Sequence, residues 1–409
     1  MSMSGRLNSP VRVMIVEDSA SARMMLRRMI ETAPDLLVVD TASDPFEAVD
    51  KMRANAPDVI TLDLEMPRMD GLTFLRRIMA QNPLPVVICP NHTPAGSKAS
   101  MEALEIGAVE VLSKSTIGTK SGAEGTMQVC DAIRAAAQAR MRGARARPSA
   151  AQAAAREAAV ARAGARASAV AETRAPARPA TPAPGARTSS PLVREQVKTA
   201  DVILPARPPN ARLHPRTDPI IGIGSSTGGT EALSKVLTTL PADCPPIAIV
   251  QHMPEKFTAA FAARLNSICS ITVKEAEDGD RLERGVALIA PGHRHIVVER
   301  LGNRYVVQTV DGPAVRRHRP SVDVLFRSLA VSAGPNAFGA ILTGMGDDGA
   351  ACMKEMHDAG STTVAQDEAT SVVYGMPKAA VEQGGAQKSV PLDEVARHLL
   401  EFDARHRKT

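Results

Sequence analysis

Apolar residues gather in short, almost unbroken runs, and between the runs they recur at helical spacing. This alternation appears twice, at the two ends of the chain. Near the amino terminus, residues 11–16, 59–67, 85–89 and 109–114 read as buried strands, and helical periodicity marks 20–31, 45–55, 72–80, 98–106 and 126–140. Alternating β and α segments predict an α/β domain over 9–130, flavodoxin-like, with five parallel strands wound on both faces. Towards the carboxyl terminus, apolar runs at 220–224, 246–250 and 337–343 are followed by Gly- and Ser-rich turns, and helical spacing resumes at 230–237 and 350–357. A second doubly wound α/β domain with a mostly parallel sheet is therefore expected over 217–406. The intervening 131–216 is rich in Ala, Arg and Pro and has almost no aliphatic stripe to bury, so it reads as a largely disordered linker.

Chemistry-bearing residues fall where the apolar runs stop. The first run of the second domain ends in Gly224-Ser225-Ser226-Thr227-Gly228-Gly229, the next in Gln251-His252-Met253-Pro254, and the third in Gly344-Met345-Gly346-Asp347-Asp348-Gly349. Open α/β sheets gather their sites beyond the carboxyl ends of strands, so an alcohol, an imidazole and a carboxylate could meet there as nucleophile, base and orienting acid. A plain helix cap or a phosphate-binding loop would also explain the Ser-Thr-Gly-Gly turn. A dinucleotide fingerprint fits less well: Gly222, Gly224 and Gly228 give G-x-G-x-x-x-G, and the next strand ends in Gln-His instead of an acid. His293, His295 and His318 flank Arg and Pro-Gly turns and read as surface or groove residues.

In the first domain, Glu17 and Asp18 end one run and Asp63 lies near the end of another, while Lys114 closes the last. Like charges drawn to one sheet edge call for a cation, and carboxylate oxygens suit magnesium. With Val-Glu-Asp-Ser at 16–19, Asp-Leu-Glu-Met-Pro-Arg-Met-Asp-Gly at 63–71 and Lys114, this stretch resembles the receiver domain of bacterial response regulators. The resemblance implies that Asp63 accepts a phosphoryl group. It also implies that Glu17, Asp18, Asp63 and the backbone carbonyl of Glu65 hold Mg²⁺, with Lys114 touching the phosphoryl oxygen. One departure stands out: Cys89-Pro90-Asn91 replaces the usual strand-end hydroxyl, leaving Asn91 or Thr93 as substitutes.

Charge changes the picture only locally. The net charge is +5, but residues 131–180 carry ten Arg against three acids, which leaves the remainder slightly acidic. No aromatic residues interleave with these arginines, so a nucleic-acid partner is not expected. Five scattered cysteines without a C-x-x-C pair suit reduced thiols. No run approaches the length of a membrane span and residues 1–10 hold no apolar signal segment, so a cytoplasmic protein without membrane insertion is expected.

Taken together, a receiver, a linker, and a domain bearing Gly-Ser-Ser-Thr-Gly-Gly, Gln-His-Met-Pro and Thr-Gly-Met-Gly-Asp-Asp-Gly resemble the chemotaxis protein-glutamate methylesterases, which are also protein-glutamine glutaminases. Further shared runs are Ala290-Pro291-Gly292-His293, Arg319 to Phe326, and Tyr374-Gly375-Met376-Pro377. The resemblance implies that Ser226 attacks, His252 transfers the proton and Asp348, not Asp347, orients His252. It makes the Met345 N–H the oxyanion donor and has Thr227 support the site, with no cofactor for the ester reaction. The implied partners are methyl-accepting chemotaxis receptors as substrate and the chemotaxis histidine kinase as phosphodonor. The competing reading is a response regulator whose carboxyl-terminal half only binds a partner or nucleic acid.

Overall fold

The computed structural model describes residues 9–90, 94–112, 114, 123–139, 197–208 and 215–408. Asn91, Thr93 and most of the 131–216 segment lie outside the described residues. The first domain runs β1 (Val11–Val16), α1 (Ala20–Ile30), β2 (Leu36–Ala42), α2 (Pro45–Ala54), β3 (Val59–Leu62), α3 (Gly71–Gln81), β4 (Val86–Ile88), α4 (Pro94–Ile106), β5 (Glu110–Val111) and α5 (Ala123–Gln138). Its strands form one parallel sheet in the order β2-β1-β3-β4-β5. Three helices begin where the local chemistry dictates: Ser19, Asp44 and Asp70 each accept a backbone N–H of the first turn. Helix α5 continues to Gln138, into the segment read from composition as linker.

The second domain comprises β6 (Ile220–Ser225), α6 (Gly229–Thr238), β7 (Ile247–Gln251), α7 (Phe257–Ile268), β8 (Thr272–Glu275), β9 (Arg281–Leu282), β10 (Val286–Ile289), β11 (His295–Leu301), β12 (Arg304–Val310), α8 (Val322–Ser332), β13 (Ala337–Ile341), α9 (Ala350–Asp358), β14 (Thr362–Gln366), α10 (Met376–Glu382), β15 (Lys388–Val390) and α11 (Leu392–Lys408). Seven strands pair in parallel in the order β15-β14-β13-β6-β7-β10-β8. A small antiparallel sheet, β11-β12-β9, lies apart from them. The chain starts in the middle at β6, winds out through β7, and returns to lay β13 on the other flank of β6. The end of β6 is thus a topological switch point, bordered by the ends of β7 and β13.

Residues 197–208 also belong to this domain physically. Ala200 is fully buried, and Ile203 and Leu204 pack against the core. The buried guanidinium of Arg327 on α8 binds Asp201 at 2.6 Å and the Leu204 carbonyl at 3.1 Å, and pairs with Glu355 of α9. The two domains meet as well. Met101 and Ala103 of α4 share one apolar cluster with Phe261 and Leu265 of α7, and Arg264 pairs with Glu105 at 2.6 Å.

Candidate active site

Ser226 follows the last residue of β6 and opens a tight turn. Gly229 N–H donates to its carbonyl at 2.7 Å, and Gly228 takes φ 79°, ψ −4°, the third-position geometry of a type II turn. Glycine adopts that φ without strain, and a Cβ there would also stand 2.6 Å from Val372. His252 follows β7 directly. Since Ser225 is in register with Gln251 across the parallel pair, the residues that follow them sit on neighbouring strand ends. A buried amide ties the two: Gln251 Nε2 donates to the carbonyls of Ser226, at 2.9 Å, and His252, at 3.1 Å, while its Oε1 accepts Ser225 Oγ. The Ser225 hydroxyl is thereby taken up by Gln251.

Asp348 meets His252 from the third strand end. Its Oδ2 accepts His252 Nε2 at 2.8 Å and Val322 N–H at 2.8 Å, and its Oδ1 accepts Ser321 Oγ at 2.8 Å and Asp323 N–H at 3.0 Å. Two of these donors are the first N–H groups of α8, whose positive end faces the carboxylate. Burial opposes ionisation of Asp348, but the bond from His252, the charge of that ring when protonated and the backbone donors outweigh it and hold the pKa below the usual carboxylate range. Asp347 turns instead to Arg316, at 3.0 Å, and is partly exposed.

With Nε2 committed to Asp348, His252 keeps Nδ1 buried and without a hydrogen-bond partner among the described residues. Ser226 Oγ likewise makes no hydrogen bond among the described residues, and both side chains line one cleft of about 320 Å³ with Thr227, His293, Arg317, His318 and Met345. No acceptor among the described residues takes the Met345 N–H. The expectation of a surface or groove position needs correcting for His295, whereas His318 does line the cleft. His295 is fully buried, bonded to the Pro313 carbonyl through Nε2 and to Ser321 N–H through Nδ1, because β11 carries it inside. His318 lies flat on His252, ring centroids 3.7 Å apart and planes 4° from parallel. Burial, then the charge of His252, pulls the His318 pKa down to about 3, so it stacks as a neutral plate. His293 is exposed at the cleft.

Sequence reasoning assigned no role to Gln251, Ser321 or Asp323. Asp323 Oδ1 accepts the Gly349 and Cys352 N–H groups at the start of α9, and its Oδ2 accepts Arg316 Nε. It thereby fixes the turn that carries Asp348. The Arg319 to Phe326 run contained these residues, but only the packing of α8 against β6 reveals what they do.

In the first domain, Glu17, Asp18 and Asp63 each offer an oxygen within 4.8 Å of the others. Lys114 Nζ donates to Asp63 Oδ2 at 2.5 Å and to Glu17 Oε1 at 3.0 Å. Burial, with the nearby charge of Asp63, raises Glu17 to about 7, since one lysine does not offset the acids. Glu65 N–H donates to Asp63 Oδ1 at 3.3 Å. From β5, Glu110 reaches across to the second domain and accepts the Thr227 hydroxyl, and Asp131 of α5 lies 3.9 Å from Arg317.

The CheB methylesterase family profile matches residues 221–399, and that of the response regulator receiver domain matches residues 13–119. Protein-glutamate methylesterase/protein-glutamine glutaminase 3 of Geobacter metallireducens is 49% identical over 391 residues, spanning 95% of this chain and 98% of that one. The chain belongs to the protein-glutamate methylesterase/protein-glutamine glutaminase family. Its namesake number 2 from Oleidesulfovibrio alaskensis is 50% identical over the same shares of both chains. The Thermotoga maritima CheB methylesterase catalytic domain, a solved structure, is 36% identical and covers 46% of this chain and 99% of its own, with a TM-score of 0.44. Membership of the methylesterase family makes the carboxyl-terminal domain an enzyme and leaves the binding-module reading without support. No helix among the described residues is long and apolar enough to cross a membrane.

Proposed function

We propose that Ser226, His252 and Asp348 hydrolyse glutamyl methyl esters, and deamidate glutamines, on methyl-accepting chemotaxis receptors. The observation that carries this reading is the division of labour on one imidazole: Nε2 is held by a buried carboxylate while Nδ1 is buried, bondless and in the cleft with Ser226. Ser226 Oγ adds to the side-chain carbonyl carbon and its proton passes to His252 Nδ1. The imidazolium is stabilised by Asp348, and the Met345 N–H donates to the oxyanion. His252 returns the proton to the departing methanol or ammonia. Water then attacks the acyl-serine, with His252 again as base, releasing glutamate and free serine. His318, neutral and stacked, keeps the ring of His252 from turning.

The receiver governs access in this reading. Asp63 takes the phosphoryl group from the chemotaxis histidine kinase, and Lys114 contacts it. Three carboxylates against a single lysine form a hard-oxygen donor set that fits Mg²⁺, held by Glu17, Asp18, Asp63 and the Glu65 carbonyl. The ion would neutralise charge on the transferring phosphoryl group. Without phosphorylation, Glu110 and Asp131 cover the cleft, which suits an enzyme restrained until signalled. Five free thiols suit a cytoplasmic setting.

A fluorophosphonate should label the chain once, at Ser226, and not label Ser226→Ala. A small phosphodonor with Mg²⁺ should speed that labelling in wild type and leave Asp63→Ala at its unstimulated rate. Labelling of another serine would remove the proposed nucleophile; unchanged rates would remove only the receiver's control.

Cover by the receiver should also weaken with pH. Burial, set against the bond from Thr227, raises Glu110 from 4.5 to about 7. The contact's contribution is thus complete below the unperturbed value and lost as pH climbs through about 7. Unstimulated labelling should rise more steeply across that range in wild type than in Glu110→Gln, whose amide stays neutral. Parallel profiles would show that Glu110 does not hold the cover.

A further inference from the structure

Thr227, on which Glu110 rests, adjoins the nucleophile. Arg317, beside Asp131, is harder to account for. It lies in a two-residue turn closed by Val315 N–H to the His318 carbonyl, at 3.0 Å, and His318 N–H to the Val315 carbonyl, at 2.8 Å. Arg316 and Arg317 take φ 48° and 69°, a conformation that favours Gly or Asn at both positions. Arg316 justifies its place through Asp323 and Asp347. Arg317 finds no acceptor in its own domain among the described residues: its contacts are Asp131 and, at 3.6 Å, Met127 Sδ, both from the receiver. Neighbouring Arg319 is turned to the Gly312 carbonyl. A cation at the rim of the cleft therefore takes both of its contacts, among the described residues, from the domain that must withdraw before substrate enters.

We propose that Arg317 reads a carboxylate flanking the reacting side chain of the substrate, and that Glu110 and Asp131 occupy, in the unphosphorylated chain, the places of the substrate's glutamyl group and of that flanking acid. The inference rests on the ester chemistry proposed above and names the substrate as an acidic protein segment. Glu110 has the length and carbonyl group of the side chain that Ser226 would attack. With its pKa near 7 it sits in the cleft largely neutral below that pH, as esters and amides are, and still accepts the Thr227 hydroxyl. Asp131, whose Oδ1 accepts from Arg134 on its own helix at 2.9 Å, turns its other oxygen towards Arg317 and supplies the second element of the pattern, a charge for that guanidinium. Glu255 and Asp347 also line the cleft, but Asp347 is already paired with Arg316.

The test uses the full-length chain activated by a phosphodonor with Mg²⁺, and two synthetic peptides that each carry one glutamyl methyl ester, flanked by Glu in one and by Gln in the other. Wild type should bind the acidic peptide with a KM up to about fivefold lower, the range of a partly exposed ion pair. In Arg317→Gln that advantage should vanish through a rise in KM for the acidic peptide alone. Asp131→Asn should keep the preference, because Asp131 only stands in for substrate, and should raise unstimulated turnover of both peptides. Equal KM values in wild type, an equal rise for both peptides in Arg317→Gln, or lost preference in Asp131→Asn would each overturn the proposal. Methanol release from neither peptide would instead fault the underlying ester chemistry.

Discussion

Asp348→Asn should lower kcat/KM for ester hydrolysis by about 10⁴-fold in a chain that still folds, on the scale seen when a triad carboxylate elsewhere becomes an amide. The contacts explain why an isosteric change should matter so much. Both oxygens of Asp348 accept two donors: His252 Nε2 and Val322 N–H on one, Ser321 Oγ and Asp323 N–H on the other. An amide can accept on one side only. With its NH₂ towards His252, the ring is driven to carry its proton on Nδ1, the nitrogen that receives the proton from Ser226 in the proposed mechanism. With its NH₂ towards Ser321, donors face donors at the start of α8. Each arrangement sets the NH₂ against a backbone N–H at the start of α8, Val322 in the first and Asp323 in the second, and costs about 1–3 kcal/mol of stability for the unsatisfied groups, a loss that thermal melting would register separately from turnover. Ser226→Ala should be at least as inactive. If Asp348→Asn turned over at nearly the wild-type rate, the proton would have to reach His252 in some other tautomer and the triad would be wrong.

How much of this was legible from the sequence depended on whether a role is set locally or by topology. Ser226, His252 and Asp348 each stand where an apolar run gives way to a polar turn, a signal carried by a few adjacent residues. The acids at 17, 18 and 63 were readable for the same reason. The antiparallel pair β11 and β12 was not anticipated, although the ladder closes on Leu301 opposite Arg304 around Gly302-Asn303, a turn of recognisable composition with Gly302 at φ 63°. The stack of His318 on His252 had no such local mark. It exists because a turn between the antiparallel sheet and α8 folds back over the end of β7, and nothing at positions 315–320 reports that. Glu110 was equally silent, because the two-residue strand β5 presents it to another domain.

Gly224→Ala should destabilise the catalytic domain by about 1–3 kcal/mol, the usual effect of forcing extra volume into a packed core. A Cβ on Gly224 would fall 2.2 Å from Val322 Cγ1, and one on Gly222 would fall 2.3 Å from Leu329 Cδ1. Alternate residues of β6 face one side, and Val322 and Leu329 lie two turns apart on α8, so the two glycines form a groove in which the helix rests. The Gly-x-Gly spacing that suggests a nucleotide fingerprint therefore has another cause: it lets α8 approach the sheet. The consequence reaches the chemistry, because the first N–H groups of α8 hold Asp348, and pushing Val322 away from β6 moves those donors. Activity should fall in Gly224→Ala beyond what the lost stability explains. Val322→Ala alone should also destabilise, by leaving a cavity. Combined with Gly224→Ala it removes the methyl groups that the new Cβ would strike, so the double variant should lose at least about 1 kcal/mol less than the sum of the two and recover part of the turnover. Strict additivity in melts, or turnover that stays low in the double variant, would mean that the strain of the added methyl is relieved elsewhere than at the start of α8.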